Sequence, residues 1–576
     1  MKRRRRKQQR QARTPPSEGA ATPLSPSALV DRGAAAHRRH DHLGALADFR
    51  RALALDPENL DALAGLVGTL GGLRSRTPSP EIERALLAVY ASAHANYDDI
   101  GAAAAAQLML KYDPAAAAAD PDAVADDPLF AAYLEKSVNA NPSMERFLTG
   151  LRRRLLLAGP ERLAQAALAT AAALGRQCFA NEYVFFAGDD ERLALDALAE
   201  RLNAALANGA DAAEMRRPLL VYCLYRPLSA LAESPRLAAA DDGAFGPELA
   251  RLVQLTLRDH AAEQALKSRL ETLGKITDAT SKKVRAQYEE SPYPRWLHAP
   301  AQRPMPLPSL LARMFPGVSP PAPSDPLEVL IAGAGTGRQA VRVARTHPDA
   351  RVTAVDLSKG SLAYAMRMTA RLGIAGARFV HADILGLARL GRTFDMVQSV
   401  GVLHHMKNPL KGWRVLVALT RPGGIMKIGL YSDRGRRAVQ ACRRVIAEEK
   451  IAATPDAIAA FRRRLMDDPP KRLERADVAE IVRTFDFYST SMCRDLLFHV
   501  QEHHWTPARL KRDLATLGLD FIGFEMFEQA GISAAYREAF PDDPALTDLD
   551  NWERFEAREG PLTDLYLLWC RKPAGR

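Results

Sequence analysis

The sequence predicts an α/β fold built on a mostly parallel sheet in its C-terminal half, preceded by an all-α half. Three observations carry this. From about residue 327, short apolar runs alternate with helical patterns; the first run ends in alternating glycines; and residues before about 270 hold alanine- and leucine-rich segments of helical period. The first run, Leu330-Ile-Ala, feeds into Gly333, Gly335 and Gly337, and a helical pattern begins at Arg338. Glycines at alternate positions let the backbone turn tightly and approach a ligand with no Cβ in the way. A dinucleotide fingerprint needs its third glycine three positions after the second, to seat a pyrophosphate on the helix N-terminus. That position is Arg338, which disfavours a nicotinamide-dependent enzyme.

The remaining elements come in order. Ala350–Val355 reads as a second strand with Asp356 at its end and Leu357-Ser358 opening a helix. A carboxylate there can accept hydrogen bonds from both hydroxyls of a ribose. Ala377–Val380 is a third strand, ending in His381-Ala382-Asp383-Ile384. Phe394–Val400 is a fourth, running into Gly401-Val-Leu-His-His-Met406, and Gly424–Leu430 is a fifth behind the breaker Arg421-Pro-Gly-Gly424.

As a set, from about Leu327 to Ser432, these pieces resemble the class I S-adenosylmethionine-dependent methyltransferase family. The resemblance implies a Rossmann-like domain with a seven-stranded mixed sheet, S-adenosyl-L-methionine as cofactor, and methyl transfer as the activity. It places Gly333, Gly335 and Gly337 under the methionine part of the cofactor, Asp356 with Leu357 at the ribose, and Asp383, flanked by Ala382 and Ile384, at the adenine. Val400 and Gly401 match the segment lying against the cofactor, and the Val-Leu-His-His string is common in the branch that methylates small molecules. Ala332 departs from the family, many of whose members carry an acid there; recognition of the cofactor's amino group then falls to backbone carbonyls. The last two strands are expected at Phe521–Phe527 and Asp564–Trp569, the final one antiparallel.

His404 and His405 are the candidate proton acceptors or substrate-orienting groups, since a base near neutral pKa serves a hydroxyl, phenol or acidic carbon acceptor. The fourth-strand segment lacks the Asn/Asp-Pro-Pro-Tyr string used on planar exocyclic amines, and no Pro-Cys dipeptide supplies a nucleophile for cytosine methylation. Upstream, Gln287-Tyr-Glu-Glu-Ser-Pro-Tyr-Pro-Arg-Trp296 places two tyrosines, paired acids and two stiffening prolines together. Such a string reads either as a lid over the cofactor pocket, with Tyr288 and Tyr293 facing it, or as a strap on the outside of the sheet. It looks like one found in bacterial proteins that join tetratricopeptide repeats to a methyltransferase domain.

The front half fits that combination. Gly33, Ala45, Phe49, Ala52 and Pro57 fall on the defining positions of a 34-residue tetratricopeptide unit, with Ala36 where an aromatic is usual. A single repeat cannot bury its own face and must stack on the helices after it. Residues 434–500 are too long and charged for a simple connection and read as a helical insertion over the strand ends, a candidate acceptor-binding cap. Near its end, Asp495, His499 and Glu502 are candidate acceptor contacts; their spacing does not form a metal motif, and no metal is expected.

The domains expected are therefore a basic tail (1–24), a tetratricopeptide-like unit (25–80), an all-α domain (81–270), a connecting lid segment (271–326) and the methyltransferase domain (327–576). The chain has 576 residues, 47% hydrophobic and 26% charged, with a net charge of +11, which falls to +3 once the eight basic residues of Met1–Arg13 are set aside. The basicity is thus mostly a tail, and nucleic acid is not supported beyond it. Five scattered cysteines and no membrane-length apolar run suggest a cytoplasmic protein. The function expected is methyl transfer to an unidentified small molecule or protein, with the repeats contacting a protein partner; the alternative is a non-catalytic scaffold.

Overall fold

The computed structural model describes residues 24–112, 124–318, 322–525 and 530–574, so the basic tail lies outside the described residues apart from Leu24. The front half is helical throughout. Pro26–Arg38 and His42–Leu55 form the first antiparallel pair, and Leu60–Gly72 and Pro80–Ala91 the next. Phe49 explains the small residues of the repeat pattern: a Cβ on Gly33 would sit 2.9 Å from its ring and one on Gly65 2.4 Å away. Leu63, Leu66 and Leu70 are buried against the same core, and Ser79 caps the next helix, Pro80–Ala91. One continuous apolar cluster runs from Leu29 to Leu257, so the two helical regions expected from the sequence share a single core.

The back half is an open sheet of strands β1 (Glu271–Thr272), β2 (Glu328–Ala332), β3 (Arg351–Asp356), β4 (Ala377–His381), β5 (Phe394–Val400), β6 (Thr420–Tyr431), β7 (Asp520–Phe524) and β8 (Leu565–Arg571). Their order is β1-β4-β3-β2-β5-β6-β8-β7. Pairing is parallel as far as β6, and β8 runs antiparallel to both β6 and β7. Eight strands replace the seven expected. The extra one, β1, comes from the connecting segment and adds to the edge strand β4; two residues with exposed side chains carry no apolar alternation to betray a strand. The Arg421–Gly424 breaker does not precede β6 but lies inside it, where the ladder with β5 jumps between Phe394 and Met396. Met526 and Phe527 of the expected seventh strand lie outside the described residues.

Alternation along the strands splits the core into two layers. Leu330 and Ala332 pack on Trp413 and Leu416 of helix Pro409–Leu419, whereas Val329 and Ile331 pack on the other face with Ala340, Val343, Leu362 and Ala365. Strand order reverses between β2 and β5, and the crevice outside their C-terminal ends is where ligands bind in such sheets.

The insertion folds as helices Arg437–Glu448, Pro455–Asp467, Arg475–Arg483 and Thr490–Phe498 around its own apolar core, to which Val138 and Ala140 of the front half contribute. Among the described residues, no helix is long and apolar enough to cross a membrane.

The halves are joined by a buried ion pair. Arg462 of the insertion donates to both carboxylate oxygens of Glu145 at 3.1 and 2.8 Å, and also to the carbonyls of Val184 and Phe487. Removing one partner of such a pair leaves an uncompensated buried charge. Glu145→Ala is expected to cost about 3–5 kcal/mol, seen as a lower urea midpoint, while Glu145→Leu with Arg462→Met recovers most of it. A Glu145→Ala midpoint equal to wild type would show that the pair does not hold the halves together.

Candidate active site

The glycine turn comes directly after β2. Gly333, Gly335 and Gly337 have φ of 83°, 51° and 84°, the left-handed region that favours glycine. At Gly335 space is also decisive: a Cβ would lie 2.6 Å from the backbone oxygen of Tyr293. The Gly335 amide donates to Asp356 Oδ2 at 2.8 Å, and the Ser358 amide to Asp356 Oδ1 at 2.8 Å. The end of β3 is thereby tied to the turn after β2. Each carboxylate oxygen keeps a lone pair for a ligand hydroxyl. Burial raises the Asp356 carboxyl above its usual value, while these two amides pull the other way.

Past β4, Asp383 caps the next short helix through Leu385 N at 2.9 Å, and its other oxygen has no hydrogen bond among the described residues. Ala382 and Ile384 flank it, both buried. A cavity of about 400 Å³ opens here at the β2/β5 crevice, reached by Gly333, Gly335, Asp356, Leu357, Asp383 and Ile384. Ala382, Val400 and Gly401 also line it; Gly337 does not, and instead lets the helix pack on Ala365.

The opposite wall comes from outside the sheet. The Gln287–Trp296 string is both strap and cover. Glu289 accepts from the amides of Lys359 and Gly360 at 2.5 and 3.0 Å, capping helix Lys359–Arg371, and Ser358 Oγ donates to the Tyr288 carbonyl at 3.1 Å. Trp296 is buried, with Nε1 donating to the Thr336 carbonyl at 3.1 Å, and the Thr336 amide donates to the Tyr293 carbonyl at 3.3 Å. This clamp turns the Tyr288 and Tyr293 rings into cavity wall.

The insertion completes the wall with Arg436, Asp486 and Asp495. Asp495 accepts from the hydroxyls of Tyr288 at 2.6 Å and Tyr431 at 3.4 Å. Asp564 joins them because β8 is antiparallel: its start, Leu565, sits opposite Tyr431 at the end of β6. Sequence reasoning missed Arg436, Asp486 and Asp564. The first two lie in the stretch expected to cap the site, and antiparallel β8 was itself a signal that the residue before it returns to the ligand edge.

The two candidate histidines differ in position. His405 lines the cavity, whereas His404 lies behind it. The Tyr431 amide donates to His404 Nδ1 at 3.3 Å, so the His404 proton sits on Nε2 and goes to His405 Nε2 at 3.1 Å; His405 Nδ1–H then donates to the Gln501 carbonyl at 2.8 Å. Burial holds both imidazoles well below the usual histidine range, hence neutral. His499 stacks on His405, with ring centroids 3.6 Å apart. Glu502 is off the cavity wall and is taken up by Arg436 at 2.7 Å, Arg443 at 3.3 Å and His504 at 2.9 Å. Among the described residues His405, Asp495 and His499 bring metal-ligand atoms within 4.8 Å of one another. The stacked rings, 24° apart, carry their in-plane lone pairs side by side instead of toward one point.

Comparison with known proteins agrees with this geometry. Residues 329–424 match the family described as "Methyltransferase domain". The chain carries a methyltransferase domain. It is 30% identical over 242 residues to an uncharacterized Synechococcus protein, covering 40% of this chain and 56% of that one. It is 35% identical over 106 residues to the ubiquinone biosynthesis O-methyltransferase of Methylocella silvestris, covering 18% and 40%. The chain spans about half the length of the curated relatives it matches. Among solved structures, PKMT2 of Rickettsia typhi aligns over 45% of this chain and 51% of its own, at 18% identity and a TM-score of 0.36.

The cofactor of the methyltransferase domain is S-adenosyl-L-methionine, and the residues present fit it: a glycine turn that lines the cavity at Gly333 and Gly335 with no side chain, an Asp356 on the cavity wall with lone pairs to spare, and an Asp383 with an unengaged oxygen beside apolar Ala382 and Ile384. Loss of a hydrogen bond to a charged group costs roughly 1.5–3 kcal/mol, so Asp356→Ala should weaken S-adenosylhomocysteine binding by roughly tenfold to a hundredfold. Gly335→Ala should abolish it, with circular dichroism confirming the fold of each variant. Isothermal titration decides; wild-type affinity in Gly335→Ala would mean that the ligand does not lie on this turn.

Proposed function

We propose that this chain transfers the methyl group of S-adenosyl-L-methionine to an acceptor entering between the strap and the insertion, either a small molecule or a side chain of a protein. The observation that carries the reading is a single cavity with two unlike walls: cofactor-type loops at the strand ends, and a polar aromatic wall of Tyr288, Tyr293, Asp486 and Asp495 facing them.

Methyl transfer from a sulfonium is an in-line displacement, so the protein's work is alignment and exclusion of bulk water. S-adenosyl-L-methionine supplies the electrophilic methyl group. The glycine turn, Asp356 and Asp383 hold the cofactor end; the Tyr288 hydroxyl, fixed by Asp495, and the clamped Tyr293 narrow the acceptor end. In this reading His404 and His405 shape the wall instead of moving a proton, because the His405 Nε2 lone pair is already taken by His404. The helical half braces strap and cap and supplies the surface outside the cavity where a protein acceptor would make its remaining contacts. Five buried, unpaired cysteines support a reducing, cytoplasmic setting.

Tritiated S-adenosyl-L-methionine incubated with the protein and cell extract, separated by size, tests this. Label is expected in the small-molecule or the protein fraction, and absent with Asp356→Ala. Absence of label together with no S-adenosylhomocysteine binding up to about a millimolar ligand would leave a non-catalytic scaffold.

A further inference from the structure

We propose that the acceptor is a cationic amine: an alkylammonium group received by Asp486, Asp495 and Asp564 beside the rings of Tyr288 and Tyr293, with Asp486 taking the proton that must leave before nitrogen can attack. This rests on the methyl-transfer reading and names its substrate class.

Charge at the acceptor end points one way. Asp486, Asp495 and Asp564 all line the cavity, and the basic side chains there are spoken for. Arg436 pairs with Glu502 at 2.7 Å and lies flat on Tyr431, 3.6 Å from its ring centroid; Arg338 faces Asp98 at 3.9 Å. A carboxylate, phosphate or thiolate acceptor would meet like charge in a partly desolvated space. A neutral phenol or alcohol would leave three carboxylates facing a single sulfonium charge. An ammonium is the complement that three carboxylates and the Tyr288 and Tyr293 rings provide for, through charge-assisted hydrogen bonds and cation–π contact.

Unengaged polar groups mark where it would sit. Asp486 and the Tyr293 hydroxyl have no hydrogen-bond partner among the described residues, although both reach the cavity wall. Behind Asp495, His499 is 3% exposed, and its Nε2 has no partner. The Tyr288 and Tyr293 rings stack with centroids 6.3 Å apart at 27° and together form the aromatic part of the wall. Asp495 spends its oxygens on tyrosine hydroxyls and Asp564 accepts from the Thr563 hydroxyl at 3.3 Å, so Asp486 is the one of the three carboxylates with no hydrogen bond among the described residues. Burial, with Asp495 and Asp564 adding to it and Arg436 and Arg338 opposing, raises its carboxyl to about 7, a value suited to a base at neutral pH.

The step balances. One N–H bond of R–NH₃⁺ breaks and its proton passes to Asp486; the freed nitrogen pair forms the N–C bond to the methyl carbon as the methyl C–S bond breaks, its electron pair going to sulfur. The products are R–NH₂–CH₃⁺, S-adenosylhomocysteine and a protonated Asp486, which returns its proton to water.

The test is binding, read by saturation-transfer NMR on the full chain with S-adenosylhomocysteine present, using three probes of one carbon frame: pentylamine, pentanol and pentanoate. Pentylamine is expected to bind at least about tenfold more tightly than either, the preference growing from pH 6 to pH 8 as Asp486 ionises and falling below about threefold in Asp486→Asn. S-adenosylhomocysteine titration reports separately that the variant is folded. N-acetyl-lysine methylamide against pentylamine distinguishes a peptide lysine from a free amine as the source. Equal or tighter binding of pentanol or pentanoate, or an undiminished preference in a folded Asp486→Asn, would overturn the proposal while leaving methyl transfer standing. Failure of wild type to bind S-adenosylhomocysteine would overturn both.

Discussion

The site depends on one close approach, the backbone of Tyr293 laid against the glycine turn. With 2.6 Å between the Tyr293 carbonyl oxygen and the point where a Gly335 Cβ would be, neither segment can shift without the other. The Thr336 amide and the Trp296 indole close the contact from both sides, and the Tyr364 hydroxyl holds the Trp296 carbonyl from helix Lys359–Arg371. Glycine at position 335 therefore admits the strap on one side and keeps a side chain out of the cavity it lines. The same clamp aims Tyr288 and Tyr293 into the cavity, so this wall is positioned by the glycine turn that lines the same cavity.

A wall built this way gets its electrostatics from three separate pieces of chain. Tyr288 and Tyr293 come from the strap, Asp486 and Asp495 from the insertion, and Asp564 from the start of the antiparallel last strand. None lies on the sheet's cofactor loops. Burial raises the Asp486 carboxyl, the charges of Asp495 and Asp564 add to the effect, and no amide or hydroxyl donor stabilises its ionised form. Glu502, by contrast, is held low at about 2 by His504, Arg436 and Arg443 despite its burial. Two buried acids a short way apart thus have opposite protonation behaviour, the one enclosed by cations being structural.

Legibility in the sequence tracks how local each signal is. The glycine turn, Asp356 and Asp383 are tied to strand ends by short-range geometry, and short apolar runs marked β2 to β6. The two-residue β1 had no such run, because its side chains face solvent and only its backbone joins the sheet. The roles of His404 and His405 were not legible, since they turn on which atoms Tyr431 and Gln501, distant in sequence, present to the rings. The insertion could be recognised as a cap from its length and charge, but not that Asp486 reaches the cavity while Glu502 does not.

The segment Gln177–Val184, which mixes polar and aromatic residues, is where the helical half grips the strap and cap. Glu182 and Tyr183 both hold left-handed φ, 57° and 58°, which side chains larger than glycine adopt only where surrounding contacts compensate. Here the compensation is visible. The Glu182 carboxylate accepts from the Ser491 amide at 2.7 Å and from Arg295 of the strap at 3.3 Å, and its carbonyl accepts from Thr490 Oγ at 2.8 Å. Arg295 also lies over Phe179, 4.8 Å from the ring centroid. One strained turn of the front half thus holds both the strap that carries Tyr293 and the helix that carries Asp495. With Glu145 gripping Arg462 on the same insertion and Asp98 facing Arg338 at the cavity edge, the front half fixes the spacing between the two sides of the acceptor wall. Displacing it would loosen the strap and the insertion helix together, so the helical half holds in place the wall that Tyr293 and Asp495 form.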